Sequence, residues 1–158
     1  MNNELRNIIS RVRQEIDTHP DGPTIGELNE GNSDATTNNI YLKEYIDFLK
    51  VCNGARCGPI DIISFEDIER SQHLILELPG FENWLYIGQI LYDILVINKD
   101  DGNVWIYIET PPGFQKGNCL GRFDEFIKDY VFGKKFIDIT PSGINSKWYQ
   151  LLEKLQIV

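Results

Sequence analysis

Histidine is nearly absent from this chain of 158 residues, which has only His19 and His73. His19 stands beside a helix-breaking proline and His73 inside a charged stretch. Histidine is the commonest general base at neutral pH, so its scarcity counts against acid–base catalysis. There is no P-loop, no GxGxxG after a strand, no HExxH and no GxSxG. That excludes the familiar phosphate loop, dinucleotide fingerprint, zinc-protease helix and nucleophile elbow. Acidic pairs are plentiful and could do glycosidase-type work, but none is set apart by its spacing. Long apolar runs are also missing. The longest, such as Ile94-Leu95-Val96-Ile97, are far too short to span a bilayer. Met1-Asn2-Asn3-Glu4 has neither a basic n-region nor an apolar h-region, and no Asn-x-Ser/Thr site occurs. The expected location is therefore cytoplasmic, with no membrane partner.

Cysteine is sparse and odd in number. Cys52, Cys57 and Cys119 cannot all pair within the chain, and the C-x4-C spacing of the first two is completed by no second pair or nearby histidine. Reduced thiols are expected, with no metal and no cofactor.

Negative charge is what the chain has in excess, with a net charge of −9. Residues 1–20 balance, and residues 21–34 carry Asp21, Glu27, Glu30 and Asp34 without a base. Residues 61–109 hold ten acidic residues against Arg70 and Lys99, a balance of −8. Such a surface repels phosphate backbones, which argues against direct nucleic-acid binding. It attracts and steers a basic partner, although a merely solvated acidic face would have the same composition.

The length suits a single domain over residues 1–158. Leu5, Ile8, Ile9, Val12 and Ile16 recur at helical spacing over 3–18, and His19-Pro20 ends that helix. Residues 20–39 read as a loop or linker. A helix is expected over 40–52, stopped at Asn53-Gly54, and a short strand over 59–63. Ser64 reads as the N-cap of a helix reaching Leu78. Residues 84–87, 92–97 and 104–108 read as strands, the last two joined by the turn Lys99-Asp100-Asp101-Gly102. Alternation puts Val104, Ile106 and Ile108 on one face and Trp105 and Tyr107 on the other. Residues 110–121 read as a loop, those from Phe123 to Tyr130 as a helix, 136–139 as a short strand, and the stretch after Ser146 as a last helix. The fold class is α+β, an antiparallel sheet with helices packed around it.

Asn98, Asp100 and Glu109 match positions 1, 3 and 12 of a calcium loop. Asn103 stands where the sharp turn needs glycine, and the flanks are strands, so a plain hairpin is the better reading. The candidate partner-binding residues are Glu82, Asp93, Asp100, Asp101 and Glu109 as steering charges, with Trp84, Trp105 and Tyr107 as aromatic anchors. Core packing is the competing reading for the aromatics, and the sequence alone does not choose between the two.

The order of elements carries a family resemblance. A helix ends in Asn53-Gly54, and a short strand leads to Ile63-Ser64-Phe65-Glu66-Asp67-Ile68. Tyr86-Ile87-Gly88 follows, then the hairpin Tyr92-Asp93-Ile94-Leu95-Val96-Ile97 with its Asp-Gly turn and Val104-Trp105, then Phe123-Asp124-Glu125-Phe126-Ile127. Over about residues 40–132 the chain resembles the SUKH superfamily, which includes immunity proteins of bacterial polymorphic toxin systems and a fungal cell-wall synthesis regulator. Two features depart from the family pattern. Gln89-Ile90-Leu91 stands where many members are glycine-rich, and the polar segment 20–39 is no family hallmark. The resemblance implies an α+β fold and a protein that binds and neutralises a cognate protein toxin, often a nuclease. It carries over no catalytic residue, so the expected protein is not an enzyme. The alternatives are a regulatory interaction module without a toxin partner and a small carboxylate-dependent hydrolase.

Overall fold

The computed structural model describes residues 1–158. Helix α1, Asn3–Thr18, starts where the Asn2 side chain accepts a hydrogen bond from the Leu5 amide at 2.8 Å. It buries Leu5, Ile9, Val12 and Ile16 on one stripe. Ile8 lies one step round the helix and is only partly buried. The expected loop over 20–39 contains structure. α2, Gly22–Ile25, is a single turn that leads into β1, Gly26–Leu28. Ile25, Leu28 and Ala35 are buried. A three-residue strand is too short to show alternation, so polar composition hid it.

A 3-10 turn, Ile40–Leu42, precedes α3, Lys43–Leu49, which buries Tyr45, Ile46, Phe48 and Leu49. Gly54, at φ +92°, then turns the chain into β2, Ala55–Cys57. This strand too was not expected. β3, Ile60–Ile62, lies within the expected 59–63. The expected helix from 65 to 78 is broken into a 3-10 turn at Phe65–Asp67, α4 at Ile68–Ser71 and a second 3-10 turn at Gln72–Ile75. Ser64 takes the cap position without a side-chain bond. The Phe65 amide donates instead to Asn53 Oδ1 at 2.8 Å.

Four longer strands follow: β4 (Trp84–Ile90), β5 (Asp93–Asn98), β6 (Asn103–Thr110) and β7 (Gly113–Arg122). β7 replaces most of the expected 110–121 loop. It contains three glycines and no β-branched residue, so its composition argued against a strand. Pairing with β6 holds it, through a register shifted at two places. At Gly117 a Cβ would meet Ile106 Cγ2 and the Ile106 carbonyl oxygen at 3.0 Å, so the glycine admits the close approach. α5, Phe123–Glu125, runs on as a π-helical stretch, Phe126–Val131. Residues 136–139, expected as a strand, form the helical turn α6, Phe136–Ile139. Only Phe136 of its four residues is buried, so nothing there alternates. α7, Lys147–Lys154, is capped by Ser146, whose hydroxyl accepts from the Trp148 amide at 3.2 Å.

The seven strands lie in sequence order, each antiparallel to the next. The fold is therefore α+β, with one antiparallel sheet. Helices cover one face and form with it a core of 34 buried residues, centred on Ile9, Leu49, Leu95, Phe126 and Trp148. The opposite, outer face holds a second cluster of seven: Ile75, Leu78, Trp84, Tyr86, Ile94, Val96 and Tyr107. Ile75 and Leu78 close over it, flanked by Phe81 and Phe114, and Gln72 ties this segment down, accepting from the Tyr86 amide at 2.9 Å and donating to the Tyr86 carbonyl at 3.2 Å. The outer face is thus the thinly covered side. No helix is long and apolar enough to cross a membrane.

Candidate protein-interaction surface

Pleating assigns side chains to the outer face, and register orders them across it. One row crosses all seven strands: Glu27, Arg56, Asp61, Gln89, Ile94, Tyr107 and Lys116 are successive direct partners. A second row runs Tyr86, Val96, Trp105, Cys119. The first row is polar on its β1 side. There Arg56 Nη2 lies 3.7 Å from Glu27 Oε2, and the Tyr86 hydroxyl is 3.4 Å from Gln89 Oε1. Burial pushes the Asp61 carboxyl up from its ordinary value, opposed by Arg56 and by a hydrogen bond from Gln89. Burial, then the Asp61 charge, raises the Tyr86 phenol.

Toward β7 the face turns aromatic. Trp84 meets Trp105 edge-on, with ring centroids 6.4 Å apart and planes at 72°, and meets Tyr107 at 5.8 Å and 76°. Trp84 and Tyr107 are 7% and 3% exposed, whereas Trp105 is half-buried. Of the three expected anchors, only Trp105 presents itself. The other two belong to the packing beneath it, because residues 65–83 close over Trp84 and its indole N–H donates to the Pro79 carbonyl at 3.3 Å. Lys116, which sequence reasoning missed, places its ammonium 4.0 Å from the centroid of Trp105 and 5.2 Å from that of Trp84. Phe114, also missed, packs partly buried against the same cluster. No sequence signal pointed to either, since the strand that carries them reads as a loop.

The expected charges fall into two groups at opposite ends of β5 and β6. Asp100 and Asp101 are exposed in the tight turn, and Glu82 is exposed nearby in the covering segment, whose Asn83 carbonyl accepts from the Lys99 amide at 2.8 Å. Asp93 and Glu109 lie at the far end, where Asp93 Oδ1 accepts from the Glu109 amide at 2.8 Å. The hairpin turn is docked. Asn39 Nδ2 donates to the Lys99 carbonyl at 2.9 Å, and Arg122 spans the Asp101 carbonyl and Glu44 Oε1, each at 3.0 Å. Asn98 Oδ1 and Asp101 Oδ1 accept from the Asp100 and Asn103 amides at 2.8 Å, so these side chains close a hairpin. The covering segment adds Glu69 and Glu77, whereas Glu66 accepts from Asn32 and Asn53 near the end of α3, and Asp67 pairs with Arg70 at 2.6 Å.

Elsewhere the titratable groups are dispersed. Asp124, whose carboxyl is also pushed up chiefly by burial, sits in α5 on the helix side of the sheet, opposite Asp61. His19 Nδ1 accepts from the Asp21 amide at 3.0 Å, and His73 Nδ1 lies 2.6 Å from the Arg70 carbonyl. No three His, Cys, Asp or Glu side chains come together as a metal site.

No protein-family model matches the chain, and no curated protein matches it either.

Proposed function

We propose that this chain is a binding protein of the immunity type, which occludes a cognate toxin domain with a basic substrate surface and performs no catalysis of its own. One observation carries the reading. The outer side of the sheet presents a half-exposed aromatic centre at Trp105, with acidic side chains at both strand ends and along residues 65–83. Lys116 is seated on Trp105, and the acids around it supply steering charge at the rim, where protein interfaces commonly carry it. A nuclease-type toxin must hold a phosphate backbone, and a surface of matching negative charge can compete for that site. The resemblance to the SUKH superfamily points the same way. Histidines engaged in local hydrogen bonds, and raised carboxyls on opposite sides of the sheet, favour binding over hydrolysis.

The test is co-expression with the product of the adjacent gene. The proposal expects a stable complex on gel filtration and loss of the partner's toxicity. A partner that neither co-purifies nor is neutralised would count against it.

A further inference from the structure

We infer that the half-buried face of Trp105, at its corner with the covered Trp84 indole, is a binding site for a cationic side chain, arginine or lysine, presented by a protein partner, and that Lys116 of this chain fills it as a displaceable guest. This deepens the proposed function and rests on it for the choice of partner. The preference of the corner for cations stands on its own geometry.

The two indole planes stand at 72°, and the buried Tyr107 ring packs against Trp84 at 5.8 Å and 76°. An aromatic face carries negative quadrupole charge, so a cation on the Trp105 face is attracted by it, and the largely covered Trp84 ring adds to this at longer range. Lys116 shows this within the chain, at 4.0 Å from one ring centroid and 5.2 Å from the other. Lys43, Lys128, Lys135 and Lys154 each reach a carboxylate oxygen. Lys116 has the rings instead. Its side chain is exposed on the edge strand β7 and can swing out without disturbing a buried group. Trp105 remains half-buried, with a face to offer.

Displacement costs little. A cation–π contact at an exposed site shifts an equilibrium by roughly two- to fivefold. An incoming guanidinium is flat and weakly hydrated, and it stacks on indole better than an ammonium does. The acids of residues 65–83 draw such a cation in, whereas Lys116 repels it until it leaves. Lys116 thereby tunes the site toward partners that bring further contacts.

The test uses Lys116→Ala and, as a second variant retaining a long polar side chain, Lys116→Gln. Tetramethylammonium chloride is titrated in while the indole N–H signals are followed by NMR. Sodium chloride at equal ionic strength and tert-butanol, a neutral molecule of similar shape, serve as controls. The expected result is saturable movement of the Trp84 and Trp105 signals, at concentrations roughly two- to fivefold or more below those the unmodified chain needs. The signal of Trp148, buried on the other side of the sheet, should stay still. If neither variant responds to tetramethylammonium more than to tert-butanol, the site does not exist. Failure to find a toxin partner would sink the proposed function and leave this result standing. A partner that binds while tetramethylammonium does nothing would sink this inference alone.

Discussion

Trp84, 7% exposed, holds Trp105 in place and contributes little surface of its own. The same division between support and surface governs the thiols. Cys52 is buried, and desolvation pushes its thiol up to about 11 despite the nearby Arg13. Cys57 is fully buried and raised well above the usual thiol range, first by burial and then by Cys52. Cys119 is exposed on β7. Only the thiolate attacks a disulfide reagent, and it must be reachable. An aromatic disulfide reagent at pH 8 should therefore titrate one thiol per native chain quickly, and the other two only after denaturant is added. Two or three fast thiols would contradict the burial described. The count of cysteines was plain in the sequence, but which one faces solvent depended on β7 being a strand, and three glycines concealed that.

At the level of elements, α1 shows how periodicity leads to packing. Its apolar stripe was legible, yet Leu5, Ile8, Ile9, Val12 and Ile16 fill a sector broader than the buried one. The structure narrows it to Leu5, Ile9, Val12 and Ile16. Ile9→Ala should cost about 2–5 kcal/mol, because a fully buried side chain leaves a cavity. Ile8→Ala should cost clearly less. Urea unfolding of both variants checks this, and equal losses would mean that the buried face is wrongly assigned. The strands β4 and β5 were legible from their β-rich composition and β6 from its alternation, and a strong turn joins β5 to β6. β1 and β2 were not, because Gly26-Glu27-Leu28 and Ala55-Arg56-Cys57 hold no β-branched residue, unlike Ile60-Asp61-Ile62 of β3, and β7 was not, because its strand state comes from tertiary pairing. The segment 65–78 carried helical signals but lies on a sheet, and Gln72 bonds to β4 there in place of a regular helix. Gly88 marks another such place, since a Cβ there would fall 1.9 Å from the Asp61 carbonyl oxygen.

Over the whole molecule, charge follows the two sides of the sheet. The outer side has the acidic covering segment and the hairpin acids, whereas residues 123–158, on the helix side, balance five lysines against Asp124, Glu125, Asp129, Asp138 and Glu153. The sequence segregated these charges along the chain, and the fold turns that into a difference between faces. Part of the candidate site was therefore readable in advance, namely its sign and Trp105. Its internal arrangement was not, because the register of β6 against β7 sets Lys116 across from Tyr107. We propose that this outer side receives a basic partner, steered by charge and anchored at Trp105. The direct measurement is the association and dissociation rates of the purified complex over a range of salt concentrations, for the unmodified chain and for folded variants. Asp100→Lys with Asp101→Lys should slow association and flatten its salt dependence. Trp105→Ala should speed dissociation by on the order of tenfold or more. Rates unchanged in both variants would place the interface elsewhere and contradict the account.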